Sequence, residues 1–197
     1  MEAAGPRLVI DVPAWVDAVA VSGATFATDH DKMALAIRLA RENVDRGAGG
    51  PFGAVVFETA SGRVVAAGVN SVVRRQNCVL HAEIVALMLA QQRVGSFTLR
   101  APGRPAHELV TSCEPCAMCL GATLWSGVSR LVVGATRADA MAVGFEEGPV
   151  FPESYAYIAE RGIATVWDVR REEAASLLRG YRDGGGAIYN AVPPPGA

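Results

Sequence analysis

The chain has 197 residues, 51% of them hydrophobic and 19% charged, with a formal net charge of −2. That is enough to bury one substantial core and too apolar for a disordered chain, and it offers no basic field to attract a nucleic-acid backbone. The uncharged run at 115–129 is too short and too rich in Gly, Ser and Thr to span a bilayer.

Residues 1–27 read as an irregular N-terminal extension without a basic start, and Asp11 and Asp17 interrupt its apolar stretch, which argues against a signal peptide. "TDHDKMALAIRLARENVDRG" (28–47) predicts a helix: Thr28 or Asp29 can cap it, Met33, Ile37, Ala40 and Val44 form its apolar stripe, and Gly47 stops it. "GPFGAVVFE" and "RVVAAGVNSVV" predict two strands joined through "TASG". "HAEIVALMLAQQRV" predicts a second helix with Ile84, Leu87 and Met88 on its apolar face.

"RAPGRPAH" reads as a loop, and Leu109–Thr111 as a short strand. A third helix is expected from Pro115 onward, since proline is tolerated in a first turn. "SRLVVGATR" and "GIATVWDV" predict further strands, and Arg171–Arg182 an amphipathic helix. "DGGGAIYNAVPPPGA" is a glycine hinge and a proline-rich tail. This alternation predicts an α/β fold, a three-layer α/β/α sandwich around a central mixed sheet.

Four cysteines are too few and too clustered for a disulfide framework: Cys113, Cys116 and Cys119 fall within seven positions, and Cys78 stands apart. A reduced, cytoplasmic setting and a metal fit this usage better. Cys116 and Cys119, three apart at a helix start, present both thiols to one side, where the helix dipole favours thiolate. His81 opens the second helix and supplies a nitrogen. One nitrogen and two sulfurs would hold one Zn2+ per chain and leave a fourth position for water, the mark of a catalytic zinc. Glu83, beside the ion and not on it, could then move protons from that water during hydrolytic deamination. A closed structural site with Cys113 or Cys78 as fourth ligand, in a non-catalytic binding module, is the rival reading.

"HAE" at 81–83 and "PCAMC" at 115–119 resemble the H-x-E…P-C-x-x-C signature of zinc deaminases, and the likeness to the cytidine deaminase superfamily spans roughly residues 29–150. On this resemblance residues 28–183 form the deaminase domain and 184–197 a tail. "GGPFGAVV", "GVN", "TSCEPCAMCLGA" and "GFEE" follow the order found in bacterial guanine deaminases. That resemblance implies hydrolysis of a free amino-heterocycle, guanine first, in a homodimer. It implies base contacts from Asn70, the Ala82 backbone and Glu147, with Glu147 also shuttling protons. Phe52 and Trp125 match pocket-wall aromatics, and Tyr189 a tyrosine that closes the pocket, often from a swapped neighbouring subunit. Where the pattern has two aspartates this chain has Glu146 and Glu147. The same chemistry on cytosine, a triazine, a nucleoside or a tRNA adenosine is the alternative. The tRNA version lacks a clear basic track, because Arg170, Arg171, Arg179 and Arg182 are interleaved with Glu172 and Glu173.

Overall fold

The computed structural model describes residues 11–191. A five-stranded sheet of order β2-β1-β3-β4-β5 is built from Gly53–Glu58 (β1), Val64–Val69 (β2), His107–Cys113 (β3), Arg130–Ala135 (β4) and Ala164–Val166 (β5). β1 runs antiparallel to both β2 and β3, whereas β3, β4 and β5 are mutually parallel, so the sheet is mixed as expected. The helices are Ala14–Val21 (α1), Asp29–Asp45 (α2), Val72–Arg75 (α3), Ala82–Val94 (α4), Ala117–Ser126 (α5), Arg137–Ala142 (α6), Pro152–Glu160 (α7) and Arg171–Asp183 (α8).

Strand alternation divides the interior into two layers. On β1, Val55 and Phe57 point into a core shared with α2 and α8, while Ala54 and Val56 point into a second core under α4, α5 and α7. α2 begins at its expected cap: the Thr28 hydroxyl accepts from the Asp31 N–H at 3.1 Å. The parallel strands end together on the side where α4 and α5 begin, and the site lies there.

Several elements differ from the sequence reading. The N-terminal segment is not irregular throughout. α1 follows Pro13, which needs no N–H there, and its fully buried Val16 joins the core over β2. Residues 1–10 lie outside the described residues. The second strand stops at Val69, and 72–75 turn into the short α3. β3 starts at His107, inside the expected loop, because His107 pairs with Glu58 and its Nδ1 lies 2.9 Å from the Leu99 carbonyl oxygen. α5 starts at Ala117 with Cys116 as its cap, so Pro115 precedes the helix and does not form its first turn. α6 and α7 had no expected counterpart; they are short, and only Ala140 and Ile158 among their residues are buried.

One charged cluster sits inside this frame. Glu108 on β3 is fully buried, 2.5 Å from Lys32 Nζ on α2 and 2.5 Å from Arg130 Nη1 on β4, and Arg130 also pairs with Asp29 at the start of α2. Removing one member strands a buried charge. Glu108→Ala is therefore expected to destabilise the fold by about 3–5 kcal/mol in urea unfolding, well beyond the change for an exposed acid such as Glu172.

Candidate active site

Two helix starts meet at the ends of β2 and β3. His81 caps α4 in an extended conformation and makes no side-chain capping bond, which leaves its ring free. α4 comes this close to the sheet because β2 carries Gly68, where a Cβ would lie 2.3 Å from the Ala82 carbonyl oxygen. Gly68→Ala is accordingly expected to push α4 outward, costing about 1–3 kcal/mol and lowering Tm in a thermal melt.

Cys116 caps α5 and Cys119 follows one turn on; both are buried. The ligand atoms of His81, Cys116 and Cys119 all lie within 4.8 Å of one another, and His81 Nδ1 is 3.5 Å from Cys116 Sγ. Glu83, Glu147, Cys78 and Cys113 do not join this group. Cys113 instead packs in the core and donates its thiol to the Thr136 carbonyl at 3.7 Å. Cys78 is exposed at the cavity mouth.

The electrostatics suit metal ligation. A hydrogen bond from Cys119, with help from His81, pulls the Cys116 thiol down to about 4, and the same bond, with burial, pushes Cys119 well up. One sulfur is thus ready as thiolate, and a cation would displace the proton of the other. Burial works to lower His81, but the Cys116 hydrogen bond and the nearby Glu83 leave it raised. Burial lifts the Glu83 carboxyl to about 7 and Glu147 to about 8. A divalent cation beside them opposes both shifts.

His81 and Cys116 line a cavity of about 540 Å³, with Cys119 buried next to them. Phe52, Asn70, Glu83, Phe145, Glu147 and Tyr189 line it. Asn70 is buried, and its side-chain oxygen accepts from the Val72 N–H at 3.3 Å. Behind it, Asn43 Nδ2 donates to the carbonyls of Gly50 and Asn70, both at 2.9 Å, and fixes that wall. Phe52 meets Phe145 edge-on with centroids 5.0 Å apart. Tyr189 folds over the opening against Phe145, its hydroxyl buried without a hydrogen-bond partner among the described residues. It lies so close over Gly50 that a Cβ there would come within 2.2 Å of the hydroxyl.

With this geometry in place, residues 27–135 match the model of the cytidine and deoxycytidylate deaminase zinc-binding region. The chain belongs to that deaminase family. Among its relatives, the guanine deaminase of Bacillus subtilis is 37% identical over 148 residues, which covers 75% of this chain and 90% of that protein. A solved structure of the guanine deaminase from Nitrosomonas europaea superposes with a TM-score of 0.87 at 41% identity, covering 90% of this chain and 97% of the other. The structure of NE0047 in complex with 2,6-diaminopurine gives a TM-score of 0.88 at 42% identity, over 94% and 97% of the two chains.

The residues expected to carry the deaminase chemistry are mostly brought together. His81, Cys116 and Cys119 converge, and Glu83, Glu147, Asn70, Phe52 and Tyr189 face the same cavity. Ala82 is fully buried in the first turn of α4, behind the cavity lining, with its carbonyl against Gly68. Trp125 is not brought in. It is 79% exposed and lines a separate groove with Phe97 and Met88. The reason is helical: six residues beyond Cys119, it lies about 9 Å further along the axis and on another face. The tail of this chain covers its own cavity; residues 192–197 lie outside the described residues.

Three contributors escaped the sequence reading. Phe145 is the aromatic against which Phe52 and Tyr189 pack. Glu114 ties down the loop before Cys116, its carboxylate accepting from the Arg137 N–H at 2.8 Å and the Tyr155 O–H at 3.0 Å. Asn43 could have been suspected, because it falls three residues after Ala40 on the core face of α2, where a polar residue needs a reason.

Proposed function

We propose that this family member is a zinc-dependent aminohydrolase that converts guanine to xanthine and ammonia. The observation that carries the reading is the cluster of three donor atoms, two of whose residues line a cavity, with a buried acid two residues from one of them and, among the described residues, no fourth protein ligand in the cluster. One imidazole and two thiols, one of them readily deprotonated, are the donor chemistry zinc takes in catalytic sites. The ion, when bound, supplies Lewis-acid chemistry that makes water a usable nucleophile near neutral pH.

The chain's own residues would do the rest. Glu83 would take a proton from the attacking water and give it to the ring nitrogen beside the amino-bearing carbon, then carry the remaining proton of the added hydroxyl to the leaving amine as the carbonyl forms. A C–O bond forms, the C–N bond breaks, and ammonia departs. Asn70 would use its amide N–H groups on the base, since its oxygen is already engaged with Val72. The Ala82 backbone and Glu147 would read the purine edge, with Glu147 also moving a proton. Phe52, with Phe145, and Tyr189 would hold the ring and exclude water.

Guanine as substrate rests on the likeness to proteins described as guanine deaminases. An ammonia-release screen with guanine, adenine, cytosine and an amino-triazine tests it. Guanine should give the highest kcat/KM. Turnover of cytosine or the triazine with guanine inert would overturn the substrate, and no turnover of any would overturn the enzyme.

A cytoplasmic homodimer is the form we propose. The free cysteines suit a reducing compartment. The exposed Trp125 and Phe97 suit burial against a second copy, which sedimentation at micromolar concentration would reveal. No helix among the described residues is long and apolar enough to cross a membrane.

A further inference from the structure

The tail that covers the cavity is also fastened to the segment that carries Glu147. After α8 the chain reverses at Gly184–Gly186, where Gly186 lies flat on the Tyr181 ring and the Tyr181 O–H donates to the Ala187 carbonyl at 2.8 Å. Ile188 then lies over Gly144, and Tyr189 over Gly50. Asn190 makes two hydrogen bonds to one short stretch: its Nδ2 donates to the Gly144 carbonyl at 2.9 Å, and its Oδ1 accepts from the Glu146 N–H at 3.0 Å.

That stretch leads directly into the cavity acid. Gly144 has φ +106°, a conformation that L side chains rarely adopt, and it turns the chain so that Glu146 is exposed while Glu147 is buried. The Glu147 carbonyl in turn accepts from the Ala117 N–H at 2.9 Å, at the first residue of α5. Glu147 is therefore held from the metal-donor helix on one side and from the tail on the other.

We propose that Asn190 is a positioning residue that couples docking of the C-terminal tail to the placement of the Glu147 carboxyl, so that Tyr189 closes the cavity and the acid is set in one event. Neither bond alone would do this. The carbonyl and the amide lie two residues apart, and an asparagine offers both a donor and an acceptor, so it fixes the direction of the peptide chain entering Glu147 as well as its position. Asparagine is specific for this role. Aspartate keeps the acceptor for Glu146 but sets a carboxylate against the Gly144 carbonyl, and alanine has neither group.

The inference rests on the reading that Glu147 acts on the substrate, so its test includes an arm that needs no turnover. Asn190→Ala and Asn190→Asp are compared with the parent by amide hydrogen exchange over residues 144–147 and the tail, by zinc content, and by guanine kinetics. Both variants should retain zinc, exchange faster at residues 187–190 and lose about tenfold in kcat/KM, the size expected for one or two net hydrogen bonds, and Asn190→Ala, which also loses the acceptor, should exchange faster at the Glu146 amide. In a Glu147→Gln background Asn190→Ala should cost little more, because both changes act through one carboxyl. Unchanged exchange at Glu146 in Asn190→Ala overturns the coupling, whether or not guanine proves to be the substrate. Losses that multiply across the double variant likewise overturn it.

Discussion

Glu83→Gln should retain zinc and lower ammonia release by roughly 10²–10⁴-fold, the range contributed by a positioned general acid–base. The side chain sits in the first turn of α4, two residues after His81, and only 6% of it is exposed. It lies outside the donor cluster, so its loss should not unload the ion. Glutamine has nearly the same volume and keeps the packing of that turn, but it can neither accept nor deliver a proton. Burial raises its carboxyl, and a divalent cation beside it opposes that rise. The check is paired: zinc per chain by elemental analysis and initial rates of ammonia release on the same preparation. A variant that stays within tenfold of the parent would remove Glu83 from the proton path.

Cys116→Ser separates metal binding from folding. Serine is a good helix cap, so α5 should still begin at Ala117 and the fold should persist. What is lost is the sulfur whose thiol is drawn furthest down. Zinc affinity should fall by more than the 10–100-fold typical of losing a group that merely supports a ligand, and activity should fall with it. Cys113→Ser and Cys78→Ser should keep their zinc, since one thiol is spent on the Thr136 carbonyl and the other lies outside the donor cluster. Competition with a chelator ranks the three variants. If Cys78→Ser or Cys113→Ser loses zinc as readily as Cys116→Ser, the site is closed and the catalytic reading fails.

What the sequence makes legible here is local. The Thr28 cap, the stripe of α2, the β1–β2 hairpin and the two helix starts bearing His81 and the cysteines each follow from residues within one or two turns of one another. The donor cluster was within reach because both of its halves sit at helix starts, where side-chain direction is nearly fixed. Pairings between distant residues were not legible. Glu108 reads as a charge in a strand, and nothing near it announces Lys32, which lies 76 positions earlier. Asn190 reads as part of a polar tail, although it grips residues 44 and 46 positions back. Trp125 shows the opposite error. The family resemblance implied a pocket wall, yet helix rotation turns it to the outside. α1 escaped notice because its burial depends on the face of β2, which its own eight residues cannot reveal.

X-ray absorption at the zinc edge of the purified, zinc-loaded protein addresses the central proposition most directly. Two sulfurs at about 2.3 Å and two lighter atoms at about 2.0 Å are expected, the ligands being Cys116, Cys119, the His81 imidazole and one oxygen from water. A third sulfur at about 2.3 Å, or a protein that holds no zinc at all, would contradict it.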